Sequence, residues 1–317
     1  MTIKHTGRKL PDFFTAAILF GWLWFAASVA AVAEDGPHQP VVEDLLRLLD
    51  ERPDLSEAVD AAIGNAALDG IGNLDEFAGY LDDLVTYIPI EREFVPKAIP
   101  LYYIVNQAPG DALNEDDAFN AWLKAYVREY GAFLDTPASA AGIETFAAMP
   151  NYNDDDYFVG PSGWLTFNQF FAREVRPGRR PISAPRDDSV VVSPADAVFM
   201  GQHPIDDNST ITAKGATWAI ADLLADSPYA DAFRGGTYAH SFLYVDDYHR
   251  YHVPVGGVVK EIRNISGRVY LDVQRKADGS FDIIDGDTYQ FNQERGLIVI
   301  DSPEVGLVAV LPIGMAY

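Results

Sequence analysis

The chain has 317 residues, 48% of them hydrophobic and 12% aromatic, with no cysteine and a formal net charge of −24. That composition supplies a buried core and excludes wholesale disorder, and the absence of cysteine excludes disulfides, a thiolate nucleophile and zinc-finger-type sites. The acidic balance argues against nucleic acid as a partner, because phosphate binding relies on clustered Lys and Arg.

Residues 1–33 read as a signal peptide: Lys4, Arg8 and Lys9 precede an apolar run from Phe13, and Ala31-Val32-Ala33 forms an A-x-A site before Glu34-Asp35. The run is also long enough to span a bilayer, which leaves a membrane anchor as the alternative. Both imply export, and export without cysteine suits a bacterial periplasm or cell envelope.

Residues 41–150 follow helical periodicity and are expected to form a helical N-terminal extension. In "NLDEFAGYLDDLV", Asn73 is an N-cap and Glu76 its N3 partner, a capping box. "NEDDAFNAWLKAYVREYGAFL" sets Phe119, Trp122, Tyr126, Tyr130 and Phe133 on one helical stripe, which predicts core. "MPNYNDDDYFVGPSG", rich in turn formers, marks a boundary over 149–163.

From about 160 to 317 the period shortens. "SVVVSPADAVFMG", "GGTYAHSFLYV", "GGVVKEI", "RVYLDVQ", "FDIID" and "GLIVIDSPEVGLVAVLPIG" are Val/Ile/Tyr-rich runs broken by Gly, Pro, Asp and Ser, the pattern of strands joined by hairpins. "TWAIADLLADS" predicts a helix among them. The fold class expected is therefore α+β, a helical N-terminal domain followed by a β-rich, hairpin-built domain. The final "GLVAVLPIGMAY" predicts a buried strand and its exit, an unusual place for a domain to stop, so the β-rich domain is expected to be C-terminally incomplete. "REVRPGRRPISAPR" gathers Arg173, Arg176, Arg179, Arg180 and Arg186, read as solvated arginines pairing with an acidic surface, with an anion-binding patch as the alternative.

The candidate chemistry lies in "DDYHRYHVP", residues 246–254, where His249 and His252 stand three apart in a chain with six histidines. On a helix that spacing puts both rings on one face, and on a strand it opposes them. The pair follows an alternating strand and precedes Pro254 and Gly256-Gly257, so a bending strand end is expected. Three readings stay open on spacing alone. His240, His249 and His252 with Asp246, Asp247 or Asp196 could ligate a divalent ion. One histidine could instead act as a base steadied by an aspartate. Or both rings are satisfied by nearby backbone and carboxylates.

The ordered set "FFAREVRPGRRPI", "VVSPADAVFMG", "AKGATWAIADLLAD", "GGTYAHSFLYVDDYHRYHVPVGG" and "NQERGLIVIDSPEVGLVAVLPIGM" resembles the phosphatidylserine decarboxylase family from about Leu165 to the end of the chain. Upstream, "FNAWLKAYVREYGAFLDTPASAAGI" is similar to the helical extension of a soluble branch that includes fungal aromatic amino acid decarboxylases. The resemblance implies a catalytic domain over 160–317 and a pyruvoyl group derived from the protein's own serine. That serine attacks the preceding glycine carbonyl and the resulting ester eliminates, leaving a ketone that serves as an electron sink for an amine substrate. By the same resemblance Asp196 of SPADA matches the aspartate and His252 the histidine base of self-cleavage, and His249 matches the histidine of the decarboxylation step. No metal is implied.

Three departures accompany it. Ala197 stands where SPADG has glycine, which would strain a positive φ. Val253 and Gly256 in VPVGG replace a serine and an aspartate. The family's Gly-Ser lies beyond the stretch matched here, so the pyruvoyl-forming serine is expected beyond Tyr317 and the chain alone is expected to be inactive; Gly279-Ser280 in "RKADGSFDII" reads as a hairpin turn. The expected activity is decarboxylation of phosphatidylserine to phosphatidylethanolamine, in phospholipid biosynthesis, on an amine-bearing substrate. The arginine cluster and leader favour contact with a membrane surface, whereas the acidic body disfavours it. The alternatives are decarboxylation of a free aromatic amino acid, a catalytically dead exported binding protein, and a metal-binding envelope protein. Oligomeric state is not legible.

Overall fold

The computed structural model describes residues 37–107, 109–213, 216–283 and 292–314; the expected leader lies outside them. Among the described residues no helix is long and apolar enough to cross a membrane.

Helices α1 (Pro40–Glu51), α2 (Pro53–Ala66), α3 (Leu74–Val85), α4 (Phe94–Val105), α5 (Gly110–Glu115) and α6 (Asp117–Leu134) build the N-terminal region. Pro40 and Pro53 open α1 and α2 at the first turn, where a missing N–H costs nothing. The expected stripe on α6 is core: Phe119, Trp122, Tyr126 and Tyr130 are buried, and Phe133 stacks on Tyr130 at its edge. The polar tips are paired, Trp122 Nε1 donating to Val41 O at 2.8 Å and Tyr126 Oη to Leu81 O at 2.7 Å. Pro100 interrupts the ladder of α4, and Tyr80 from α3 spans the gap: its hydroxyl donates to Lys97 O at 2.7 Å and accepts from Leu101 N at 3.2 Å. The cap of α3 differs in one detail from a regular capping box. Asn73 Oδ1 accepts from Glu76 N as expected, but Glu76 reaches back to Gly72 N at 2.6 Å, so the ring closes one residue earlier.

Short turns, α7 (Ile143–Ala147) and α8 (Phe167–Phe171) follow. Phe146, Tyr152, Phe167 and Phe170 form one aromatic cluster with Ile143, so the sequence boundary at 149–163 is spanned by packing.

The strands are β1 (Val198–Pro204), β2 (Thr210–Ala213), β3 (Ala216–Ala219), β4 (Thr237–Phe242), β5 (Val258–Ile265), β6 (Val273–Arg275), β7 (Phe281–Ile283), β8 (Arg295–Ser302) and β9 (Gly306–Val310). Among the described residues these strands pair antiparallel: β1 with β4, β2 with β3, β6 with β7, and the three-stranded order β5-β8-β9. This is the expected α+β arrangement. The stretch expected as one helix, "TWAIADLLADS", is instead β3 followed by a single helical turn, α9 (Ile220–Leu223). Ile211 pairs with Trp218 across β2 and β3, and Ile220 N donates to Ser209 O, so strand pairing wins over helix propensity there. Buried Arg295 then binds carbonyls at the end of α9, Nε donating to Leu223 O at 2.9 Å and Nη2 to Asp222 O at 3.0 Å. Gly279-Ser280 is the hairpin turn expected: Gly279 has φ +85° and lies between paired β6 and β7. β9 is half-buried rather than buried, Val310 alone being enclosed.

The two regions share a core. Val269, Leu271 and Val273 pack into the helical cluster, and Asn106 Nδ2 donates to Leu271 O at 2.6 Å. Replacing the α3 cap, Asn73→Ala, is expected to cost about 1 kcal/mol, read as a lower urea midpoint at unchanged slope.

Candidate functional site

The site is assembled by backbone. His252 N donates to Pro194 O at 2.7 Å, Val192 N donates to Pro254 O at 3.0 Å, and Asp196 forms an antiparallel bridge with Tyr248. SPADA and HRYHVP therefore run side by side, joining segments that are far apart in sequence. Glycine is required next to this pairing: a Cβ on Gly257 would stand 2.5 Å from Asp301 O, where β5 enters the sheet. Ala197 is not among the described non-glycine residues with left-handed backbone, so the strain expected there does not arise.

The two histidines occupy opposite environments. His249 Nε2 contacts Tyr244 O at 2.8 Å, and its ring stacks on Phe171 at 3.9 Å between centroids. His252 is exposed and stacks on Tyr248, with centroids 5.6 Å apart. Burial pushes the His249 imidazole below its usual range; the bond to Tyr244 opposes this, and the charge of Arg173 adds to it.

The structure brings Asp196 beside the histidine segment but does not join its carboxylate to His252. Asp196 Oδ2 accepts from Arg180 Nε, and Arg180 Nη1 donates to Asp156 Oδ2 at 2.8 Å. The pairing with Arg180 holds the Asp156 carboxyl below the usual range. Arg179 also faces Asp156, at 3.4 Å. These two arginines are partly exposed ion-paired groups, as the sequence suggested.

Arg173 is the correction within that cluster, because it is 1% exposed. Its Nη2 donates to the carbonyls of Asp246 and Asp247 at 2.9 and 3.2 Å, while Nε and Nη1 have no hydrogen-bond partner in the protein. Tyr157, Phe170 and Tyr152 surround the guanidinium, with ring centroids at 4.4, 5.3 and 5.6 Å. The loop that presents His249 thus hangs from a buried cation. Asp246 is fixed further by Asn151 Nδ2 at 2.7 Å, and Arg250 Nε donates to Ala172 O at 2.8 Å. A surface cleft beside the loop is lined in part by Trp164, Asn168, Gln169, Glu174 and Arg250. Sequence reasoning missed Arg173, Phe171 and Tyr248; the motif FFAREVRPGRR was the available signal, but a string of arginines does not show which one is buried.

The metal-ligand alternative has no geometry here: among the described residues no group of three His, Asp or Glu side chains stands close enough to hold an ion. What the arrangement offers is an accessible imidazole at His252, a carboxylate loop held alongside it, and a second, half-buried imidazole at His249.

Comparison with known proteins places this geometry. The sequence profile described as phosphatidylserine decarboxylase matches residues 167–317. The chain is 33% identical over 192 residues to phosphatidylserine decarboxylase proenzyme 3 of Schizosaccharomyces pombe, covering 61% of this chain and 19% of that protein. It is 35% identical over 136 residues to a phosphatidylserine decarboxylase proenzyme of Bacillus cereus, covering 43% and 51%. It is also 27% identical over 281 residues to the decarboxylase iboD of Amanita muscaria, covering 76% and 78%. The matches thus span from a fifth to about half of the proenzymes' own length.

Two outcomes are expected. Arg173→Met leaves two buried carbonyls without a donor and lowers stability by about 2 kcal/mol in urea unfolding. His249 contributes the second. Its folded imidazole holds protons less tightly than the unfolded one, so its contribution to stability falls as pH drops below the unfolded value of about 6.5. Acidification from pH 7.5 to 5 should therefore destabilise the wild type relative to His249→Gln, measured as the difference between their thermal midpoints at each pH.

Proposed function

We propose, from the premise that the chain belongs through residues 167–317 to the phosphatidylserine decarboxylase family, that it serves a pyruvoyl-dependent carboxy-lyase acting on phosphatidylserine. One observation carries the reading: the two motifs that the resemblance assigns to self-cleavage, SPADA and HRYHVP, are paired through backbone, so that Asp196 lies opposite the turn bearing His249 and His252.

The pyruvoyl group, when formed, supplies an electron-withdrawing carbonyl that accepts the electrons released as carbon dioxide leaves. The donor set of this chain fits its formation. An exposed imidazole at His252 is placed to take a proton from a serine hydroxyl, and a carboxylate within reach of the same loop can support the positive charge. His249, stacked on Phe171 and held at Nε2 by Tyr244 O, is suited to keep or release a proton from a half-buried position.

The substrate remains a matter of test because the alignment with the Amanita decarboxylase reaches into the helical region, whereas the Bacillus match does not cover half of the chain. A free amino acid is the second reading, assayed beside the lipid. Export, through the apolar leader at 1–33, is part of the proposal and suits a product delivered at an envelope membrane.

The experiment is intact-mass spectrometry of the protein produced in its own cell, with a hydrazine to trap carbonyls, followed by assay on phosphatidylserine vesicles and on free amino acids. A cleaved, hydrazine-reactive chain that releases phosphatidylethanolamine is expected. His252→Ala should slow self-cleavage at least about a hundredfold. An uncleaved protein with no reactive carbonyl would overturn the enzyme reading, and turnover of amino acids but not lipid would replace the substrate.

A further inference from the structure

The carboxylate of Asp196 sits on a segment paired through backbone with the one bearing His252, yet it is committed to Arg180, a partner that the catalytic reading does not use. Arg180 donates to Asp196 Oδ2 through Nε while Nη1 is held by Asp156 at 2.8 Å. Asp156 is itself fixed in the chain, because Arg176 N donates to Asp156 O at 2.8 Å, and Arg179 pairs with it from the side. On the other side, the bridge between Asp196 and Tyr248 sets the carboxylate loop against the ring on which His252 stacks. The charged and titratable groups around this point are Asp156 at the end of a short turn, Arg176, Arg179 and Arg180 from the segment after α8, and Tyr157, Tyr248, Glu174 and Arg250 packed against them.

We infer that Arg180 is a positioning residue: anchored on Asp156, it competes with His252 for Asp196, and the aspartate–histidine couple forms only when the guanidinium leaves Oδ2. The inference rests on the reading that Asp196 and His252 act together. Its energetics are modest. Arg180 and Asp196 side chains are 32% and 45% exposed, and an ion pair that open to water contributes little, so the exchange of partners is inexpensive. The anchor is stiffer than the contact it controls, since Asp156 is 22% exposed and takes two arginines. Guanidinium geometry adds selectivity: its planar fork holds two carboxylates in fixed directions, whereas an ammonium is a point charge with rotatable donors.

The test reads the titration of His252 by two-dimensional imidazole NMR on the full chain, with His252→Gln identifying the resonance. Arg180→Gln frees the carboxylate and should raise the titration midpoint of His252 by about one pH unit. Asp156→Asn, which loosens the anchor without touching Asp196, should raise it less, and decides the matter should Arg180→Gln fail to fold. Arg180→Lys, which keeps the charge but not the fork, should fall between wild type and Arg180→Gln. In an Asp196→Asn background the rise caused by Arg180→Gln should shrink to the small effect of removing one nearby positive charge. An unchanged midpoint in correctly folded Arg180→Gln overturns the inference, and so does a rise of equal size with and without Asp196. No catalysis is required for this readout. A protein that never forms a pyruvoyl group refutes the enzyme reading and leaves the exchange measurable, whereas a failed exchange in a cleaved, active protein refutes the role of Arg180 alone.

Discussion

The site depends on one stretch of backbone pairing, in which residues 192–196 lie against 248–254. His252 N–H to Pro194 O, Val192 N–H to Pro254 O and the Asp196–Tyr248 bridge fix the relative position of two loops whose side chains carry the chemistry. Side-chain hydrogen bonds alone would be a poor way to do this, since long polar side chains lose rotamer freedom and are readily rehydrated. Backbone pairs must be satisfied on folding in any case, so they place Asp196 opposite the histidine turn at no further entropic cost.

Arg173 keeps that turn in place from below. A buried guanidinium with two carbonyl partners and three aromatic neighbours is an expensive component in isolation, because the cation leaves water without a carboxylate to meet it. Here the carbonyls of Asp246 and Asp247 and the faces of Tyr157, Phe170 and Tyr152 replace hydration. The aromatic cluster of α7, α8 and the adjoining turns therefore does more than fill space: it forms the socket from which the histidine loop is suspended. The helical region and the β-rich region meet at this point, and Asn106 and Leu271 tie them again at a distance from it. The extension is thus continuous with the site's foundations.

The contrast between the two imidazoles follows from the same packing. His249 falls on the side of the loop covered by Phe171, and His252 on the side where Tyr248 offers a ring but leaves it open to water. One chain segment thereby holds a half-buried histidine and an exposed one. The arginines divide similarly. Arg173 is structural and enclosed, while Arg179 and Arg180 lie at the surface and negotiate between Asp156 and Asp196.

The sequence by itself determined the helical region, the stripe on α6, the hairpin at Gly279-Ser280 and the motifs that resemble a family, since these rest on local periodicity, turn chemistry and order along the chain. It was misleading for "TWAIADLLADS", where helix propensity yielded to pairing with β2, and for Arg173, which composition placed in solvent. Only the tertiary structure decided that SPADA and HRYHVP are neighbours, that His249 is half-buried while His252 is exposed, and that Asp196 holds Arg180. These outcomes are set by contacts between residues tens of positions apart, whose geometry depends on how whole elements pack, and no window of sequence contains that information.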